Sequence, residues 1–408
     1  MWDFLLKGAT VASGQRLDVA VRDGVIAATG TDLTGDARET VDASGKLITP
    51  GLVDLHTHVN AGGSYWGIDP DPVAWYTGVT TWVDAGSSGA YNFGAFAKTI
   101  SGYSVSVPVL LNISALGLVA PTGEAKDLSN CNLDLAIETV QRHRDTIAGV
   151  KVRMDRHSAT ALEPLRRAVE VGRACGVPVM VHIGAAPPTM REMLPLLRPG
   201  DIITHCASGI AAGGHGLDPA AKEAYQMGVL FDIGHGSGGF AFDVLEAQLE
   251  AGMVPQTISS DLHSRSLHGP VFDLPTTVAK LLAVGLTLEQ AVTAATVSPA
   301  NVLNLKAGTL NVGAQADIAL FTVEDGPFTV VDVHGQQRTA PLKLRNTATY
   351  KRGRLLEPRL PQPSPPWISL TTAQKTALLR REEAIRRLLT DPLVSPEGLT
   401  EQFPRHGG

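Results

Sequence analysis

Apolar positions along this chain follow two different patterns. In the middle, short apolar runs at 51–56, 79–84, 108–113, 149–153, 177–182, 201–205, 229–233 and 256–261 alternate with longer, helix-like stretches such as 134–144, 162–175 and 288–295. Short apolar runs bounded by turn residues read as buried strands, and their regular alternation with helices is the pattern of parallel β/α units. Eight such strands over about 250 residues predict a (β/α)8 TIM barrel across residues 49–307. In that architecture the chemistry gathers at the C-terminal ends of the strands, so those ends are where to look for it.

The flanks read differently. Residues 1–48 hold short strand signals around Asp18-Val19-Ala20-Val21-Arg22 and Val25-Ile26-Ala27-Ala28, separated by the turn pair Asp23-Gly24. Residues 308–356 resemble them, with Asp317-Ile318-Ala319-Leu320-Phe321 and Val330-Val331-Asp332-Val333. Neither flank has enough apolar residues for its own core, so the two are expected to join into one small β-sandwich interrupted by the barrel. Residues 357–408 form a third part. A linker, Pro361-Gln362-Pro363-Ser364-Pro365-Pro366, leads to Trp367 and a helical stretch over 371–389. Its apolar stripe is Ala377, Leu378, Leu379, Ile385, Leu388 and Leu389. A helix packed on the barrel or a neighbouring subunit fits this pattern, and so does a lid over a neighbouring active site. Trp367 and the stripe are compatible with a homo-oligomer.

Composition narrows the class without naming a reaction. A hydrophobic fraction of 44% with 18% charged residues is that of a well-buried globular enzyme. The formal net charge of −6 offers no basic footprint for nucleic acid. No apolar run approaches the ~20 residues of a membrane span. Met1-Trp2-Asp3-Phe4-Leu5-Leu6-Lys7 lacks the features of a signal peptide. Cys131, Cys175 and Cys206 are too few for a disulfide framework, and the expectation is a cytoplasmic protein.

Titratable residues sit at the predicted strand ends. The run Pro50-Gly51-Leu52-Val53-Asp54-Leu55-His56-Thr57-His58 closes the first strand with two histidines. Residues two apart on a strand share a face, so the two imidazoles project together, as half a metal site would require. Lys151 lies on the fourth strand, His182 and His205 end the fifth and sixth, and Asp261 ends the eighth. A buried lysine must lose its charge or have it removed. Taken singly, each residue has a structural explanation; together, on successive strands, they point to a reaction centre.

This arrangement resembles the amidohydrolase superfamily of metal-dependent hydrolases over nearly the whole chain to residue 356. Gly78-Val79-Thr80-Thr81, Val83-Asp84-Ala85-Gly86-Ser87, Phe231-Asp232-Ile233-Gly234-His235-Gly236 and Ser259-Ser260-Asp261-Leu262-His263 resemble its dihydroorotase-like deacetylase subgroup. The resemblance implies two divalent metal ions, most simply Zn²⁺, with His56 and His58 on the more buried ion and His182 and His205 on the more exposed one. It also implies that Lys151, carboxylated by CO2, bridges both, and that Asp261 ligates the buried ion. The implied reaction cleaves an amide or ester bond in a small carboxylated N-acyl or O-acyl substrate, by a metal-bridging hydroxide with Asp261 as proton shuttle. The C-terminal extension has no counterpart in that pattern.

Substrate contacts are open. Arg153 and His263 follow Lys151 and Asp261 by two residues and share their faces. Arg153 fits either a grip on a substrate carboxylate or an ion pair at the barrel rim. Tyr65, in Gly62-Gly63-Ser64-Tyr65-Trp66-Gly67, fits a pocket cover or plain loop packing. His215 and His235, in glycine-rich loops after the sixth and seventh strands, fit substrate contacts or solvent-exposed loop positions. A cyclic-amide hydrolase of the dihydroorotase or hydantoinase type would use the same metals. A deaminase would want an acid after His182, where Ile183-Gly184-Ala185-Ala186-Pro187-Pro188 has none. A non-catalytic scaffold would be expected to have lost ligands, yet every ligand position is filled.

Overall fold

The computed structural model describes residues 1–159, 161–211, 217–360 and 369–390. The linker 361–366, Trp367, His215 and residues 391–408 lie outside the described residues. Five strands open the chain: β1 (Trp2–Thr10), β2 (Arg16–Arg22), β3 (Val25–Gly30), β4 (Ala37–Asp42) and β5 (Leu47–Pro50). The barrel strands follow: β6 (Leu52–Thr57), β7 (Val79–Gly89), β8 (Val109–Asn112), β9 (Ile147–Met154), β10 (Val179–Ile183), β11 (Ile202–Thr204) and β12 (Leu230–Asp232). Three strands come last: β13 (Ile318–Val331), β14 (Gln337–Lys351) and β15 (Arg354–Leu355).

The flanking segments join as their patterns predict. One sheet runs β15-β14-β13-β5-β1-β2-β3, with β4 beside β1. The seam between the two ends of the chain is β5 against β13, antiparallel, with Ile318 opposite Pro50 and Phe321 opposite Leu47. Phe4, Leu6, Val19, Val21, Ile26 and Ile318 fill its core. Phe321, although on β13, packs into the larger barrel core. Leu47, Ala319, Val330, Ala340 and Leu344 join it there, so several side chains of the flanking sheet tie it to the barrel.

The barrel strands are parallel in the order β6 to β12. The eighth run, 256–261, does not form a strand. It fills the gap between β12 and β6 through two parallel bridge contacts, Asp232 with Thr257 and Thr57 with Leu262. The cause is local: the backbone N–H of Ser260 donates to the Asp54 carboxylate at 2.9 Å, and its hydroxyl donates to the same carboxylate. Side-chain bonds here replace ladder bonds, which breaks strand regularity where Asp261 must be presented.

The helices form as their sequences dictate. Glu163–Cys175 has Pro164 in its first turn, ends at Gly176 with φ 68°, and buries Leu165, Ala168, Val169 and Cys175. The C-terminal helix, Thr372–Thr390, matches the predicted span and lies on the protein's own barrel, with Ile385 buried and Leu379 exposed. No helix among the described residues is long and apolar enough to cross a membrane. Phe321→Ala is expected to cost about 3–5 kcal/mol in a urea unfolding experiment, because it empties the seam between sheet and barrel. A loss under about 1 kcal/mol would show that the seam carries little of the stability.

Candidate active site

Where the barrel strands end, the chain places a cavity of about 370 Å³. His56, His58, Lys151, Arg153, His182, His205, Asp261 and His263 all line it. Three of these converge tightly. The Nε2 atoms of His56 and His58 each lie 3.3 Å from the same Asp261 oxygen, Oδ1. The donor atoms of these three residues all lie within 4.8 Å of one another. Asp261 Oδ1 is buried and accepts no hydrogen bond. A buried carboxylate oxygen facing two imidazole nitrogens, with no proton donor of its own, is a donor set suited to a divalent cation.

Neighbouring groups fix the protonation of these imidazoles. Thr204 donates its hydroxyl proton to Asp232 at 2.7 Å, so its oxygen accepts from His56 Nδ1 at 2.8 Å. His56 therefore carries its proton on Nδ1 and presents a bare Nε2. Asp232, wholly buried, also accepts from Thr257 and Ser259, each at 2.7 Å. His58 Nδ1 lies 3.0 Å from Ser87 Oγ, whose hydroxyl bonds to the buried Asp84. His205 donates from Nδ1 to the Gly234 carbonyl. Burial pushes the His56 pKa well below its usual value, reinforced by Lys151. Burial and the His182 charge bring His205 down to about 3. Both are neutral at ordinary pH. Burial opposes ionisation of Asp261, but His56, His58 and His263 outweigh it and hold its carboxyl well below the usual range.

Lys151, 1% exposed, lies with Nζ 3.1 Å from His56 Nε2 and 3.2 Å from Met180 Sδ. It has no carboxylate within bonding distance among the described residues. Burial depresses its pKa to about 7, with the nearby Asp261 pulling the other way. A neutral amine is the form that reacts with CO2. His182 and His205 sit edge to face, with ring centroids 4.6 Å apart. His182 Nε2 is engaged 3.1 Å from Asp155 Oδ2, which leaves Nδ1 as its free nitrogen.

Backbone strain marks the same place. His205 (φ 63°) and Asp261 (φ 48°) both adopt left-handed conformations that non-glycine residues avoid. Close approach also explains the glycines of the 234–239 loop. A Cβ on Gly239 would lie 2.2 Å from His205 Nδ1, and one on Gly236 would lie 2.2 Å from Asp261 Oδ2. That loop is packed against the His205 and Asp261 side chains.

Two expected substrate contacts fall elsewhere. His235 is fully buried, stacks on Phe240 and takes a hydrogen bond from Lys280 Nζ at 2.7 Å. Its backbone N–H is tied to Ser259, which turns the ring away from the cavity. Tyr65 is outside the lining and packs edge-on against Trp66, which lines the cavity instead. Arg153 is in the wall but already balanced, 3.5 Å from Glu124 and 3.9 Å from Asp155, with its guanidinium 5.0 Å over the Trp66 ring. Arg153 thus has acidic neighbours and also lines the cavity, with Nε free of any hydrogen bond. His263 accepts the Arg265 N–H on Nδ1 at 3.1 Å, which leaves Nε2–H as a donor. Burial, with Asp261 opposing it, lowers its pKa to about 4, so it is neutral. The wall also holds Asp155 and Arg265, which continue the every-second-residue series from Lys151 and from Asp261.

Thr204→Val keeps the shape of the side chain but removes the acceptor for His56 Nδ1. A loss of about 10–100-fold in metal affinity is expected by chelator competition; unchanged affinity would show that the tautomer is set some other way. If Lys151 is carboxylated, a step that needs the neutral amine, metal loading under bicarbonate should rise as pH passes upward through about 7 and fall below it. A flat profile would contradict the role of Lys151.

Known proteins share this layout. Residues 204–343 match the amidohydrolase family. A deacetylase of Enterococcus faecalis is 35% identical over 369 residues, covering 87% of this chain and 99% of the relative. A solved structure of an adenine deaminase superposes with a TM-score of 0.84 at 34% identity, covering 87% of this chain and 99% of that one. A dihydroorotase structure gives 0.81 at 32% identity, covering 86% and 98%. With strand-end histidines around a bare carboxylate and this degree of likeness along the barrel, the chain belongs to the amidohydrolase superfamily and is a hydrolase acting on carbon–nitrogen bonds.

Proposed function

We propose that this protein hydrolyses the amide or ester bond of a small carboxylated N-acyl or O-acyl substrate, as a deacetylase. His56, His58 and Asp261 would hold one divalent ion. His182 and His205 would hold a second, with carboxylated Lys151 between them. The observation that carries this reading is the bare Asp261 oxygen facing two imidazole Nε2 atoms at the cavity floor. Zinc suits these nitrogen and oxygen donors. Bound there, the ions supply Lewis-acid polarisation of the acyl carbonyl and an activated water at neutral pH.

The chain's own groups do the rest. Asp261 is ionised, so it is ready to take a proton from the attacking water and pass it to the departing nitrogen or oxygen. The neutral His263 offers Nε2–H as a donor from the cavity wall. A cavity of about 370 Å³ lies near the small end of ligand sites, which run to about 300–1,000 Å³. The named relative of Enterococcus faecalis supports a deacetylase.

Two further readings have particular support. The dihydroorotase neighbour favours a cyclic-amide hydrolase on the same metals. The adenine deaminase neighbour favours a deaminase, against which residues 183–188 carry no acid and Lys151 is present. Metal-loaded protein should therefore be offered N-acetyl amino acids, acetylated hydroxy acids, dihydroorotate and adenine. Acyl hydrolysis is expected to exceed the other two activities by about 100-fold in kcat/KM. Ring opening or ammonia release as the leading activity would replace the deacetylase reading.

A further inference from the structure

We propose that the C-terminal helix is a working part of the pocket: through Gln374 it positions the loop carrying Arg265, and Arg265 receives the substrate's carboxylate. The proposal rests on the reading of the site as one for carboxylated acyl substrates.

A census of cations around the cavity comes first. Lys151 is at the floor beside His56, and Arg153, buried under Trp66, has Glu124 at 3.5 Å and Asp155 at 3.9 Å to balance its charge. Arg265 lines the same cavity, its side chain is exposed, and among the described residues its guanidinium has no hydrogen-bond or ion-pair partner. A guanidinium matches a carboxylate with two parallel hydrogen bonds, so an uncommitted arginine at the cavity mouth is a receptor for an acid. It stands four residues beyond Asp261, so the acid end of a substrate would be gripped at the mouth while its acyl end reaches the floor.

The backbone of Arg265 is held at both ends. Its N–H donates to His263 Nδ1 at 3.1 Å, and its carbonyl accepts from Gln374 Nε2 at 2.7 Å. The Gln374 amide is itself oriented. Its Oε1 accepts from the Thr371 N–H at 2.9 Å, and its own N–H donates to Thr371 Oγ1 at 3.2 Å. This reciprocal cap at the helix start leaves the amide nitrogen aimed at the loop. Two turns along, Arg381 donates to the Leu267 carbonyl at 3.3 Å and lies 4.6 Å over the Tyr76 ring. The helix thus clamps the loop after Asp261 against the helix Asp71–Thr77.

Gln374→Glu is the discriminating substitution, because it keeps the oxygen that caps the helix and removes the nitrogen that holds Arg265. Arg265→Met removes the receptor, and Arg265→Lys restores charge without the fork. Full-length, metal-loaded protein would be titrated calorimetrically with N-methylsulfonylalanine, whose sulfonyl replaces the scissile acyl carbonyl, and with its carboxamide. The parent should prefer the acid by about 10–100-fold. Arg265→Met should abolish that preference, Arg265→Lys should restore part of it, and Gln374→Glu should weaken it in the same direction. Gln374→Glu should also speed hydrogen exchange across 263–272 while helix amides beyond 375 stay protected. On N-acetylalanine, both Arg265→Met and Gln374→Glu should raise KM and leave kcat within about threefold. Acid preference without turnover would sink the deacetylase reading and leave this proposal standing. No preference in the parent, or a preference untouched by Arg265→Met or Gln374→Glu, would overturn it.

Discussion

One buried oxygen governs this molecule. Asp261 Oδ1 faces His56 and His58 at 3.3 Å each and accepts no hydrogen bond. A carboxylate taken out of water without donors is expensive, and a chain does not bring two bare imidazole nitrogens to it for stability alone. The arrangement is understandable as a cation's cradle. Much of the surrounding structure serves to hold it. Ser260 bonds to Asp54 and interrupts the eighth strand just before Asp261. Asp261 itself sits in a left-handed conformation, a strain of about 1–3 kcal/mol that the packing around it must sustain.

Around the strand-end histidines and Asp261 lies a layer of acids that orients them. Asp232 receives three hydroxyls, and one of them, Thr204, turns His56 to the right tautomer. Asp84 receives Ser87 and so reaches His58. Asp155 receives His182 directly and shares Arg153 with Glu124. These carboxylates are buried, and burial raises the pKa of both Asp84 and Asp232. Their hydroxyl partners keep that cost tolerable. The same low-dielectric surroundings depress the Lys151 pKa to about 7, the condition that the proposed carboxylation would require.

Much of this was legible in the sequence, for reasons that differ by residue. His56, His58, Lys151, His182, His205 and Asp261 each close or sit on a short apolar run, and strand ends are shared property of a barrel, so position along the chain translated into position in space. The eighth strand was legible only as a run, because apolar pattern does not report that Ser260 trades ladder bonds for Asp54. His235 was misplaced because a glycine-rich loop reads as open, whereas here the glycines admit His205 and Asp261 side chains at close range and send His235 inward to Lys280. Tyr65 and Trp66 are adjacent, and no pattern in a loop decides which of two neighbours faces a cavity. Asp155 and Arg265 were within reach: each stands two residues beyond a residue already singled out for sharing a face with a ligand. Gln374 was not, since its contact spans 109 residues of chain.

The most direct test of the metal site is its stoichiometry. Protein grown with zinc and bicarbonate, compared with a Lys151→Ala variant by elemental analysis, should carry about two metals per subunit against a clear loss in the variant. One metal or none in the parent, unaffected by the substitution, would contradict a binuclear centre bridged by Lys151.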